Sequence, residues 1–154
     1  MSQALRDAVA RQRLLLEGRL TSPLERLTRH CAERWPSREA LEQGLMAAFE
    51  GLPSCKYLYV LDARGVQITA NCTPAGLDLA QLGRDRSDRP YLADALAGHR
   101  FTLSQAYISR NARRPSLTAV QRIESAAGEL LGFLGADFDL RELPLTRELY
   151  EQPD

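Results

Sequence analysis

Arg89 and Tyr91 flank Pro90 in the stretch "SDRPYLADALAG", residues 87–98. The stretch reads as a helix. Ser87 or Asp88 can cap its start, Pro90 suits its first turn and Gly98 stops it. An arginine in a first turn opposes the helix dipole, which favours negative charge there. A bound carboxylate would remove that penalty, because a guanidinium fork matches two carboxylate oxygens. Pairing with Asp85 or Asp88 on the surface would remove it as well.

Asp137 raises the complementary question. It stands inside "LLGFLGADFDL", an apolar run that reads as a central strand. A carboxylate there needs an arginine, backbone donors or a bound cation, because an unpaired buried charge is very costly. The plainer alternative is a strand-end aspartate bonded to a loop or reaching water. Asp139, two residues on, suits a cap for the terminal helix. Tyr107 can offer a hydroxyl or simply pack, and Tyr91 can equally pack beneath its helix.

Other chemistry is absent from the pattern. There is no G-x-S-x-G, no P-loop and no dinucleotide glycine motif. His30 and His99 stand apart without evident partners. Cys31, Cys55 and Cys72 lack the close spacing of a disulfide framework or zinc site and read as reduced, semi-buried thiols. The expectation is a protein that is not an enzyme, with no metal and no cofactor. Arg84, Arg86 and the trio Arg110, Arg113 and Arg114 could suggest phosphate or nucleic acid. With 20 Lys+Arg against 20 Asp+Glu and no aromatics near those arginines, they read as solvated turns, and no nucleic-acid partner is expected. Lys56 is the only lysine.

The elements that must position these residues follow from periodicity. The 154 residues suggest one domain. Leu5, Val9, Leu16 and Leu20 form a helical stripe. "TSPLE" then either starts a new helix at Ser22 or bends one long helix, and Leu24, Leu27 and Cys31 carry the stripe on. A second helix runs from a Ser37 cap through Leu41, Leu45 and Phe49 to Pro53. Beyond Pro53 the period becomes that of strands. "CKYLYVLD" is followed by a turn at "DARG". "VQITANC" then alternates, with Val66, Ile68, Ala70 and Cys72 on one side and Gln67, Thr69 and Asn71 on a solvent side. The spacing predicts strands near 55–62, 66–72, 100–110, 116–124 and 129–138, and helices near 2–34, 37–51 and 88–97. "NARRP" at 111–115 is expected to turn. The N-terminus is charged throughout and no apolar stretch is long enough to span a bilayer, so the expectation is a cytoplasmic protein without a membrane partner.

The order of these elements, and three phrases within it, resemble the Cache (PDC) sensor domains of PAS-like fold. "YVLDARGVQITA" is similar to the family's first hairpin. "DRSDRPYLADALAG" is similar to its "R.RPWY..A..G" helix, and "LTAVQRIESAAGELLGFLGADFDLREL" to its closing hairpin. The resemblance covers most of 54–143. It implies an α/β (α+β) fold: a five-stranded antiparallel PAS-like sheet with a long N-terminal helical segment. Residues 1–53 would pack on the sheet, 54–143 form the sensor core and 144–154 a tail. It also implies a small-molecule pocket. By resemblance Arg89 and Tyr91 face a ligand carboxylate, while Tyr107 and Asp137 face an ammonium. Leu92 replaces the family's second aromatic, and Arg84 stands where a tyrosine is frequent.

The expected function is a sensory module for an amino acid, amine or small carboxylate, signalling to a separate protein. The alternative is a dimerisation or adaptor module whose pocket is filled by its own side chains. The leucine stripe of the first helix further suggests a homodimer.

Overall fold

Ser2 opens the first helix, α1 (Gln3–Arg34), by accepting a hydrogen bond from the Leu5 N–H. In the computed structural model, which describes residues 2–110 and 113–151, α1 runs unbroken through Pro23. The restart considered at Ser22 is therefore not used. Val9, Leu16, Leu20, Leu24, Leu27 and Cys31 recur at three- to seven-residue intervals and are buried against the sheet. The stripe that suggested pairing with a second copy thus already lies on the chain's own sheet. The second helix, α2 (Arg38–Ala48), starts at the Ser37 cap as expected and places Leu41 and Leu45 in the same core.

Among the described residues seven strands form one antiparallel sheet rather than five: β1 (Cys55–Asp62), β2 (Asn71–Thr73), β3 (Gly76–Asp78), β4 (Phe101–Leu103), β5 (Tyr107–Ile108), β6 (Pro115–Glu124) and β7 (Leu130–Asp139). Their order is β3-β2-β1-β7-β6-β4, with β5 also on β6. The apolar run of β7 is central, paired on both sides, as its composition required. One extra strand, β3, forms beyond the second expected strand, and the other comes from an expected strand that breaks in two. Of the second expected strand, 66–72, only Asn71 and Cys72 belong to a ladder strand, β2. The expected strand at 100–110 splits into β4 and β5. Arg13 of α1 donates to the Leu103 and Ser104 carbonyls, at 2.8 and 2.9 Å, at the point of the break.

The segment expected as a helix over 88–97 is a 3-10 turn at Pro90–Leu92 followed by the short α3 (Ala93–Leu96). The tail carries α4 (Arg147–Glu151). Asp139 does not cap α4. Its carboxylate instead accepts from the Arg141 N–H and starts the 3-10 turn Leu140–Glu142. The first two residues of the turn expected at 111–115, and the last three of the chain, lie outside the described residues.

β1 divides the interior. Leu58 and Val60 point to the helices, whereas Tyr59 and Leu61 point to the opposite face with Tyr91, Leu92, Ala95, Val120 and Phe133. Cys31, Cys55 and Cys72 are free thiols, all buried. Burial pushes Cys31 and Cys72 up to about 12 and raises Cys55 as well.

Candidate functional site

The polar side of "VQITANC" faces inward, not to solvent. Gln67, Thr69 and Asn71 are all buried. Val66 bridges to Asp85, while Gln67 exchanges backbone bonds with Gly83 and Arg84, so this segment pairs with the loop that precedes the Arg89 turn. The loop thereby delivers Arg86 to the buried amides. Its guanidinium donates to Gln67 Oε1 at 2.8 Å, to the Tyr91 hydroxyl at 2.9 Å and to Asn71 Oδ1 at 3.2 Å. It also lies over the Tyr59 ring, 4.2 Å from the centroid, where the ring quadrupole attracts a cation. Arg86 is 4% exposed, so reading it as a solvated turn residue fails. Arg84 is exposed as that reading holds.

Tyr59 links this cation to Asp137. Its hydroxyl donates to Asp137 Oδ1 at 2.9 Å, and Thr118 Oγ1 donates to the same oxygen at 2.8 Å. Thr118 spends its one proton there, so Tyr107 is the donor in the Tyr107–Thr118 hydrogen bond. Sheet register explains the convergence: Asp137 on β7 lies opposite Tyr57 on β1 and Thr118 on β6. Gly135, two residues earlier on the same face, leaves room for the Tyr59 ring. A Cβ at Gly135 would lie 2.2 Å from Tyr59 Cε2. Asp137 Oδ2 takes no hydrogen bond among the described residues.

Burial holds the Asp137 carboxyl above its ordinary value; the Arg86 charge and the Thr118 and Tyr59 hydroxyls pull it back without cancelling the effect. Burial likewise raises Tyr59 and Tyr107, with the Asp137 charge adding to both. A carboxyl raised on folding favours the folded state fully below its unfolded pKa of about 3.9, and that gain is lost as pH rises through the raised value. Asp137→Asn never ionises and keeps the Oδ1 acceptor. It should therefore stabilise the ligand-free domain more near neutral pH than at about pH 4. Thermal melts at the two values check this, and equal shifts would refute it.

The four residues singled out in the sequence, Arg89, Tyr91, Tyr107 and Asp137, line one cavity of about 170 Å³ together with Tyr57, Arg86 and Arg110. The Tyr91 and Tyr107 rings stand 5.5 Å apart, tilted by 35°. Arg89 pairs with Asp88 at 2.8 Å, yet its side chain is only 10% exposed. Surface pairing and a place in the cavity wall therefore coexist. Leu92, the departure from the resembled motif, lies in the apolar core outside this lining.

Sequence reasoning missed Arg86, Tyr59 and Thr118. Tyr57 and Tyr59 alternate with Leu58 and Val60 along β1, which could have marked a polar-aromatic face.

No protein-family model matches the chain, and no curated protein matches it in sequence. Solved structures do match in fold. An extracellular ligand-binding receptor from Desulfohalobium retbaense aligns with TM-score 0.68 and 12% identity, over 90% of this chain and 26% of its own. The ligand-binding domain of the Campylobacter jejuni chemoreceptor Tlp3, in complex with 4-methylisoleucine, gives 0.65 and 14%, over 99% and 66%. The ligand-binding domain of the Pseudomonas fluorescens chemoreceptor CtaA, in complex with L-isoleucine, gives 0.62 and 20%, over 88% and 53%. This chain therefore spans between about a quarter and two-thirds of these neighbours. The fold is that of the Cache-type sensory domains, as the sequence phrases implied. The neighbours are sensory ligand-binding domains and not enzymes. The expectation of a cytoplasmic location is overturned, because the neighbours point to extracellular sensing. Among the described residues no helix is long and apolar enough to cross a membrane.

Proposed function

We propose that this chain is a sensory module that binds a small amino acid, and that a signalling partner reads its occupancy. The observation that carries the proposal is the polarity of the cavity. A cation, Arg89, and an anion, Asp137 with Oδ2 unbonded among the described residues, line it together with Tyr91 and Tyr107. Tyr91 accepts from Arg86 and keeps its own proton to donate, so it supplements Arg89 toward a carboxylate. An ammonium at Asp137 restores the counter-charge that burial makes costly. The cavity volume lies below the ~300–1,000 Å³ of drug-sized pockets, which suits a small metabolite. The Tlp3 and CtaA complexes with amino acids support the same class. An open cavity argues against the alternative of a module whose pocket is filled by its own side chains.

Calorimetric titration against a panel of amino acids tests the reading. Arg89→Ala should cost about 1.5–3 kcal/mol of binding, the worth of a charge-assisted hydrogen bond. Asp137→Ala should weaken amino acids while sparing deaminated analogues. Unchanged affinity in both variants would rule this pocket out.

A further inference from the structure

The charges lining the pocket do not balance. Asp137 is the one carboxylate among the described lining residues, against Arg86, Arg89 and Arg110. The inner pair is matched across a single ring, since Arg86 lies over Tyr59 and the Tyr59 hydroxyl ends on Asp137. The outer arginines share one carboxylate. Asp88 takes Arg89 at 2.8 Å and Arg110 at 3.4 Å. That bonded outer set carries one positive charge in excess; Asp85, held below its ordinary value first by Ser87 and then also by the Arg89 charge, stands outside it at a fully exposed position.

A neutral amino acid leaves this excess in place, because its ammonium and carboxylate cancel. A ligand of net charge −1 removes it. The two outer arginines also sit at different depths: the Arg89 side chain is 10% exposed and that of Arg110 is 59% exposed. They can meet two separate anionic groups, one inside the cavity and one at its mouth. The competing Asp88–Arg110 contact is long, and both its side chains are mostly exposed, so it yields at little cost.

We propose that the ligand is an acidic amino acid, its α-carboxylate at Arg89, its ammonium at Asp137 and its second carboxylate at Arg110. This rests on the amino-acid reading above and narrows it. The small volume admits a short side chain between the two carboxylates. Besides the Tyr57, Tyr91 and Tyr107 rings, the described lining offers two aliphatic residues, Pro90 and Ile108, and Ile108 is itself 64% exposed.

The test is isothermal titration calorimetry with L-glutamate, L-aspartate, L-glutamine, L-valine and succinate at one ionic strength. L-Glutamate or L-aspartate should bind about ten- to hundredfold more tightly than L-glutamine, the worth of one charge-assisted bond. Arg110→Gln should erase most of that gap by weakening L-glutamate and L-aspartate more than L-glutamine, and a thermal melt of this variant, exposed at that position, should match the parent. L-Glutamine or L-valine binding as tightly as L-glutamate overturns this proposal and leaves the amino-acid reading standing. Succinate matching L-glutamate shows that the ammonium contributes nothing, which overturns both. Binding of none of the five overturns the proposal outright.

Discussion

Arg86→Ala should cost the domain roughly 3 kcal/mol, whereas Arg84→Ala should stay within about 0.5 kcal/mol of the parent. Two arginines two positions apart in a loop differ by where their guanidinium groups end. Arg84 is exposed. Arg86 holds three buried acceptors on Gln67, Asn71 and Tyr91 and covers the Tyr59 ring. Each buried hydrogen bond to a charged group that is lost costs about 1–3 kcal/mol, and relief of the guanidinium's own desolvation returns part of the sum. Arg86→Lys should fall between, since an ammonium keeps the charge but has no planar fork to span three acceptors. Urea melts of the three variants decide the matter. Similar midpoints for Arg84→Ala and Arg86→Ala would mean that the buried network contributes little.

Gly135→Ala should be nearly as damaging, at the upper end of the ~1–3 kcal/mol typical of overpacking. The added methyl would lie 2.2 Å from Tyr59 Cε2 and 2.7 Å from its hydroxyl oxygen, and Tyr59 has no exposed surface into which to retreat. The clash therefore does more than strain the sheet: it drives the Tyr59 hydroxyl off Asp137. In a Tyr59→Leu background the same substitution should cost much less, because the two residues are direct register partners and their effects do not add. Additive costs in the double-mutant cycle would show that the glycine serves some other end. Tyr59→Phe separates ring from hydroxyl: it should leave packing near normal and weaken only the support of Asp137.

The parts of this fold that could be read from sequence are those whose partners repeat. α1, α2, β1, β6 and β7 each present a regular face to a broad apolar neighbour, and their period announces them. The middle of the chain is different. Residues 66–70 alternate as a strand does, but period alone does not say which face turns inward. Here the polar face goes in because Arg86 waits there, delivered by a loop without periodicity of its own. The break between β4 and β5 depends on Arg13, 90 positions away from Leu103, so no local pattern could show it. At the site, Arg89, Tyr91, Tyr107 and Asp137 stood out through a resembled motif. Thr118 and Tyr59 did not, because their hydroxyls matter only once strand register places them beside Asp137. Arg86 was hidden among loop arginines whose composition gave no reason to prefer one.

The three buried thiols carry a consequence of their own. Only a thiolate attacks a disulfide or an alkylating reagent, and burial, which pushes Cys31 and Cys72 up to about 12, disfavours that form at neutral pH far more than in an ordinary cysteine. Each sulfur is also shut away from the reagent itself. An oxidant that meets the folded surface therefore meets no reactive sulfur. Modification must wait for the chain to open, and the three sites open with different elements: Cys31 with α1, Cys55 at the start of β1, Cys72 in the short β2. Their labelling rates become three clocks on local opening, and the order in which they run would rank the sheet edge against its helical cover.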